Sequence, residues 1–361
     1  MMEIGCRKEE LDTPALLIDL DLMEKNIQRM SHFLNEKNAK LRPHSKVHRT
    51  PIIARMQMEA GAIGICCQKV RQAEIMAEAG INDILIPNVI ATPNKIKRLA
   101  ALSKHSNITV IVDDVSNAEQ LAHESDRIGT SIGVLVDVQV GDERFGLDPG
   151  EPVLNLTKRV TAMRGLKFLG LMCHIGFLSQ TEPRTERRTR GKEAEASLIK
   201  TKDLLERSGI KVERLSSGTT GTYDVSADNP EITEIRAGSY VLMDSSYHEH
   251  VPEFDCAMRV LGTVISKNPK GIVVLDVGMA SMSTEHGMPR LARADGLSVY
   301  QVHAENLLLK PDNASTVQIG DKVELIPSYL DGTVVRNDKF YGIRDDEVEA
   351  VWDIMGRNAS Y

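Results

Sequence analysis

Aromatic residues are scarce: six Phe, seven Tyr and one Trp make up 4% of the 361 residues. Stacking platforms for single-stranded nucleic acid need more than this, so that class is excluded. The chain also lacks any apolar run of the roughly 18 residues that a membrane span needs. Its start, MMEIGCRKEELD, is too charged for a secretory signal, and a cytoplasmic address is expected. Cysteine is sparse and odd in number, five in all, with Cys66 and Cys67 adjacent and no CxxC pair. Neither a disulfide framework nor a zinc knuckle is suggested, and the thiols read as reduced, buried residues. Positive charge is in deficit, 44 Lys and Arg against 51 Asp and Glu, for a net charge of -7. Nothing in that balance draws the protein to nucleic acid or anionic lipid, so the expected partners are small molecules or a second copy of the chain.

What is there is ordinary globular material, 42% hydrophobic and 26% charged. At roughly 150 residues per domain the length predicts two domains, or one barrel of about 250 residues with a smaller unit. Short apolar runs recur at LLIDL (16–20), LRPHSK (41–46), AIGICC (62–67), DILIP (83–87) and TVIVDD (109–114). They continue at GVLVDVQV (133–140), FLGLMCH (168–174), RLSSGT (214–219) and EIRAGSY (234–240), nine strand candidates in all. Between them lie amphipathic stretches such as VRQAEIMAEAG, closed by Gly80. Alternation of this kind predicts an α/β fold, a (β/α)8 barrel over residues 12–250, with the ninth strand placed elsewhere. After about residue 255 runs such as GIVVLDVG and DKVELIPSYL predict a mostly antiparallel β domain over 251–361, to which residues 1–11 can add a strand. The charge run TEPRTERRTRGKEAE (181–195) reads as a solvated loop and helix start.

Barrel chemistry sits at the C-terminal ends of the strands, so the residues that close each strand are the candidates. The second run ends in Arg42-Pro43-His44-Ser45-Lys46-Val47-His48, a lysine between histidines at a strand end. A partly desolvated lysine there can act as a Schiff-base amine. The eighth run ends in Ser216-Ser217-Gly218-Thr219-Thr220-Gly221-Thr222, whose backbone N–H groups can cradle a phosphate. Arg236-Ala237-Gly238-Ser239-Tyr240 can add donors to the same anion. A mouth lysine with a late-strand phosphate cradle points to pyridoxal phosphate (PLP), whose aldehyde needs the one and whose phosphate needs the other.

LDTPALLIDLD, RPHSKVH, GICCQKVRQAE, SSGTTGTYD, RAGSYVLMDSSY and the terminal GIRDDEVEAVWDI together resemble the D-threonine aldolase and D-serine dehydratase group of the alanine-racemase-like, fold-type III PLP enzymes. The resemblance spans nearly the whole chain in order. It implies a PLP-binding barrel, a C-terminal β domain and a homodimer whose active site is completed by the partner's β domain. Carried over by position, Lys46 matches the Schiff-base lysine and base on one face of the substrate Cα. Ser217, Gly218, Thr219, Thr220 and Gly221, with Gly238, Ser239 and Tyr240, match the phosphate-binding segments. His174 falls where a polar ring lies beneath the cofactor, Arg144 where an arginine approaches its pyridine side, and Gln68 in a segment lining the pocket.

The group holds a divalent metal with a His and, two residues on, an Asp or Cys, and that metal binds the substrate's β-hydroxyl. Here Asp331 matches the second ligand, but Tyr329 stands at the His, and no histidine follows His303. One carboxylate and one phenol make an incomplete divalent site, so an absent or weak metal is expected. Tyr329-Leu330-Asp331-Gly332 is also similar to the YxDG segment of alanine racemases, whose tyrosine is the second base. The first expectation is therefore a PLP-dependent lyase on D-amino acids, cleaving a D-3-hydroxy amino acid to glycine and an aldehyde. Tyr329, His303 or His44 then takes the β-hydroxyl proton. The alternatives are a racemase or epimerase using Lys46 and Tyr329 as two bases, or a D-serine dehydratase-like ammonia-lyase. A non-catalytic PLP carrier is disfavoured by the C-terminal β domain.

Overall fold

The structure is a computed structural model that describes residues 3–293, 296–312 and 316–361. Two compact units emerge. One comprises Met30–Lys46, Ile53–Gly238 and Ala359–Tyr361, and the other Met1–Arg29, Val47–Ile52 and Ser239–Asn358.

Nine strands come first along the chain: β1 (Ala15–Asp19), β2 (Lys40–Leu41), β3 (Ile65–Cys66), β4 (Asp83–Ile86), β5 (Asn107–Val112), β6 (Ile132–Asp137), β7 (Leu166–Met172), β8 (Arg214–Ser217) and β9 (Glu234–Ile235). The last eight form one parallel sheet of order β2-β9-β8-β7-β6-β5-β4-β3. A parallel bridge between His44 and Cys66, with the Cys66 N–H donating to the Pro43 carbonyl at 2.8 Å, joins its two end strands and closes the barrel. β6 is buried at every position, and its unbroken apolar run follows from cover on both faces. Inside the barrel Cys66, Leu85, Ile111, Leu135, Leu169 and Met172 pack together. At Gly170 any side chain is impossible, because a Cβ would lie 1.9 Å from the Arg214 carbonyl of the next strand.

Eight helices separate or follow these strands: α1 (Leu20–Asn35), α2 (Pro51–Glu59), α3 (Val70–Glu78), α4 (Pro93–Leu102), α5 (Val115–Arg127), α6 (Glu151–Thr161), α7 (Arg184–Arg207) and α8 (Tyr223–Ala227). α3 buries Val70, Ala73 and Met76 on one stripe and gives way to Gly80 at φ +87°, a conformation that suits glycine. α7 carries the charge run, but that run is not wholly solvated as expected. Arg187 is buried and donates to the Ser179 carbonyl at 2.8 Å, and buried Glu195 accepts from Ser226 Oγ and Asn229 Nδ2. Burial is possible there because each charge meets partners from the neighbouring loops.

One strand departs from the sequence reading. LLIDL was expected to open the barrel, but β1 belongs to the second unit. It pairs antiparallel with β10 (Met258–Lys267) and parallel with β16 (Lys339–Arg344). The strand displaced from the barrel is thus the first of the nine, not the last. Its apolar run carries no period to say which sheet it joins.

The second unit's sheet also contains β11 (Val273–Leu275), β12 (Arg290–Leu291), β13 (Leu297–Val302), β14 (Leu307–Pro311), β15 (Lys322–Ile326) and β17 (Glu347–Asp353). Its path runs β13-β14-β11-β10-β1-β16-β17, with β15 joining β10 to β12. Apart from β1 with β16, the pairings are antiparallel, as the turn-rich C-terminal sequence predicts. Leu11, Ala15 and Leu17 pack with Leu261, Ile343 and Val348, so the N-terminal segment lies at the centre of this core. The short helices α9 (Ser245–His250) and α10 (Leu330–Val334) complete the unit.

Candidate active site

The chain leaves β2 through Pro43 and His44 and turns at once into a 3-10 turn, Ser45–Val47, that carries Lys46. Ser45 Oγ ties this turn to the barrel by donating to the Cys66 carbonyl at 2.8 Å. His44 is buried, and both ring nitrogens are committed. Its Nδ1 accepts from the Lys46 N–H at 3.4 Å, which leaves Nε2 to carry the proton and donate to Gln68 Oε1 at 3.1 Å. Burial, reinforced by the charge of Lys46, pushes His44 well below the usual histidine range, so the ring is neutral at physiological pH.

From β7 come Cys173 and His174. His174 is one-third exposed, and its Nε2 lies 3.7 Å from Asp142 Oδ2. A Cβ on Gly176 would sit 2.3 Å from that same nitrogen, so only glycine lets the ring lie where it does. Burial first, and then the charges of Arg236, Arg144 and Lys46, push His174 down to about 3. Lys46 therefore acts electrostatically on two neutral imidazoles, from β2 and from the far strand β7. Arg144 is half exposed and ion-paired to Asp142 at 2.5 Å.

Arg236, just beyond β9, is the buried cation at this mouth. Its Nη1 donates to Ser216 Oγ at 2.5 Å and its Nη2 to the Cys173 carbonyl at 2.6 Å. Ser216 Oγ in turn donates to Glu234 at 2.7 Å, and Glu234 accepts from Arg42 Nε at 2.7 Å. This chain of hydrogen bonds fixes the guanidinium. Burial opposes charge on Glu234, but Arg42 holds its carboxyl below the usual range. Asp137, at the end of β6, is buried with Oδ1 lacking any hydrogen-bond partner among the described residues. Desolvation raises it to about 7 against the attraction of Arg236. Sequence reasoning missed Asp137 and counted Arg236 only as a donor to the anion. The signal available for both was a charged residue at the end of an apolar run.

The proposed phosphate segment follows β8. Gly218 turns at φ +74°, and Thr219 and Thr222 cap a 3-10 turn, Thr220–Thr222, through the Thr219 N–H to Thr222 Oγ1 bond of 3.1 Å. Ser179 and Thr219 hydroxyls meet at 2.8 Å, and a Cβ on Gly221 would lie 2.4 Å from that of Ser179. Ser217 is fully buried and accepts from the Cys173 thiol at 3.4 Å. Gly238 closes this unit, whereas Ser239 and Tyr240 belong to the second. Tyr240 is fully buried there with its ring 5.7 Å from that of Phe254.

In the second unit Tyr329 stands at the N-cap of α10, and its hydroxyl donates to Asp331 Oδ2 at 3.3 Å. Asp244 holds this turn by accepting the Leu330 N–H at 3.0 Å, and burial raises that carboxyl to about 7. The His286 ring lies 4.2 Å from the Tyr329 ring. The Arg49 guanidinium faces both Asp331 and Tyr329. No cluster of three His, Cys, Asp or Glu side chains able to hold a metal exists among the described residues. A single carboxylate with a phenol and a guanidinium does not fit the divalent metal that the resemblance implies.

Residues 18–246 match the alanine racemase N-terminal domain family, and residues 257–343 a serine dehydratase domain. The chain belongs to the alanine-racemase-like family. It is 31% identical to 3-hydroxy-D-aspartate aldolase of Paracoccus denitrificans strain Pd 1222, over 99% of this chain and 95% of that one. To D-threonine aldolase of an Arthrobacter species it is 34% identical over 97% and 94%. The crystal structure of D-threonine aldolase from Filomicrobium marinum superimposes with a TM-score of 0.97 at 32% identity, covering 99% of each chain.

Membership in this family implies PLP as cofactor, and the barrel unit fits it on its own geometry. Lys46 offers the amine, Arg236 a fixed cation, His174 a neutral ring face, and Gly218–Thr222 a turn too tight for any side chain at Gly221. Among the described residues no helix is long and apolar enough to cross a membrane.

Proposed function

We propose that this chain is a PLP-dependent lyase that cleaves D-3-hydroxy amino acids between Cα and Cβ, releasing glycine and an aldehyde. The observation that carries the reading is the convergence of Lys46, His44, His174 and Arg236 at the end of one barrel whose relatives are named aldolases. PLP, when bound, supplies the electron sink for the charge left at Cα. Lys46 forms the covalent link to the cofactor and exchanges the proton at Cα. His44 positions Lys46 rather than serving as the base, since its one lone pair already receives the Lys46 N–H. His174 lies against the cofactor ring as a neutral partner, and Arg236, more deeply fixed than Arg144, faces its pyridine edge. The Ser217–Gly221 turn, with Gly238, Ser239 and Tyr240, receives the phosphate. Gln68 orients the His44 ring. Tyr329 takes the β-hydroxyl proton, relayed to Asp331.

We further assign a homodimer. Ile265, Met279, Met288, Tyr300 and Ile319 of the second unit are all more than 40% exposed, an unusual number of large apolar side chains to leave in water. The five unpaired thiols agree with a reducing, cytoplasmic address. The test is incubation with D-threonine, D-3-hydroxyaspartate, D-serine and D-alanine in heavy water. Glycine with an aldehyde from the 3-hydroxy substrates is expected. α-Deuteration with inversion and no aldehyde would make the chain a racemase using Lys46 and Tyr329, and pyruvate from D-serine a dehydratase.

A further inference from the structure

Arg49 is three residues beyond Lys46 in the sequence, but its backbone and side chain are gripped by the second unit. Its φ is +53°, the left-handed region that a branched or long side chain seldom occupies. The strain is held by the C-terminal segment. The Gly356 N–H donates to the Arg49 carbonyl at 2.9 Å, and Arg49 Nη1 donates to the Gly356 and Arg357 carbonyls at 3.4 and 3.2 Å. Gly356 is needed for this grip, since a Cβ there would approach the Arg49 carbonyl oxygen to 2.9 Å. Residues kept in such conformations persist only where surrounding contacts over-determine them, and they cluster at functional sites.

What the grip achieves is placement of a permanent cation before Tyr329 and Asp331. These two positions hold a divalent ion in the group the sequence resembles. A second, doubly charged cation beside a fixed guanidinium is repelled, and one carboxylate cannot offset that repulsion. Arg49, Tyr329 and Asp331 are all partly exposed, so the cluster is open to a ligand. We propose that Arg49 replaces the divalent metal, binding an anionic or polarised oxygen of the substrate as a permanent positive charge. An arginine suits this task because it cannot lose its proton and offers paired donors to a carboxylate or alkoxide.

The reaction in which this oxygen takes part rests on the function proposed above, but metal binding can be read without any turnover. The purified, PLP-loaded protein is dialysed against EDTA and titrated with Mn²⁺ by electron paramagnetic resonance. No stoichiometric site at micromolar Mn²⁺ is expected. One tightly bound Mn²⁺ per chain would overturn the proposal, whatever the substrate proves to be. With the substrate found in the assay above, Arg49→Gln is expected to lower kcat/KM about a hundred-fold or more at unchanged cofactor absorbance. Arg49→Lys is expected to recover part of that loss, and EDTA to leave the wild-type rate unchanged. An Arg49→Gln rate equal to wild type, or loss of wild-type activity in EDTA, refutes it. Absence of turnover with every D-3-hydroxy amino acid, with no Mn²⁺ bound, would refute the lyase reading and leave the metal-free cluster standing.

Discussion

At the barrel mouth, groups of opposite type are displaced toward neutrality. His44 and His174 are pushed below the ordinary histidine range by burial and by the cations Lys46 and Arg236, while desolvation lifts Asp137 to about 7. The consequences for stability run in opposite directions. For the histidines the folded form binds its proton less readily than the unfolded form, so stability is lost as pH falls below about 6.5. For Asp137 the folded form binds its proton more readily, so stability is lost as pH rises from about 4 through 7. Asp137→Asn removes that second loss. Its melting temperature is expected to exceed that of wild type at pH 8, by an amount corresponding to roughly 4 kcal/mol at most, and to approach it at pH 4. Equal differences at the two pH values would show that Asp137 is not held at a raised pKa. Lys46 and the Ser217–Gly221 turn were legible in the sequence because residue type and strand-end position suffice to single them out. Asp137 and Arg236 were not, because their importance comes from neighbours supplied by β7, β8 and distant loops.

Elements place these residues through their ends. A parallel strand feeds its last residues into the mouth, and the loop that follows can be as tight as its glycines allow. Gly176 and Gly221 are the two that set the site. One makes room for the His174 ring and the other for Ser179, whose hydroxyl meets Thr219. Gly221→Ala places a Cβ 2.4 Å from that of Ser179, a contact the turn can relieve only by moving. The expected result is PLP affinity weakened about ten-fold or more, about 1.4 kcal/mol, with the barrel still folded. Fluorescence titration of the apoprotein with PLP measures it, and an unchanged dissociation constant would remove this turn from the phosphate site. Strand existence was readable here from the apolar runs, eight of the nine candidates entering the barrel. The ends of the helix bearing the charge run were readable too, but not the burial of Arg187 and Glu195 within it, since helix periodicity does not reveal which polar partners a loop will bring.

For the whole molecule the decisive feature is that sequence order and spatial order differ. β1 precedes the barrel in the chain but pairs with β10 and β16, strands more than 200 residues away. Leu17 is buried at the centre of that sheet against Leu261, Ile343 and Val348. Leu17→Ala is expected to cost about 2 to 5 kcal/mol. It should lower the melting temperature of the second unit while leaving the barrel's near-ultraviolet signal in place, as differential scanning calorimetry and circular dichroism would show. A negligible shift would mean that the N-terminal strand is not integral to the sheet.

The sequence by itself determined the element types, the approximate division of the chain, the Schiff-base lysine and the phosphate turn, because these depend on local patterning and on residue chemistry at strand ends. Only the tertiary structure decided which sheet β1 joins, that Arg236 is locked through Ser216 and Glu234 to Arg42, and that Arg49 faces Tyr329 and Asp331. The physical reason is common to all three. Hydrogen bonds and charge interactions act over a few ångströms of space, and closure of the sheets brings together groups that the chain keeps tens or hundreds of residues apart.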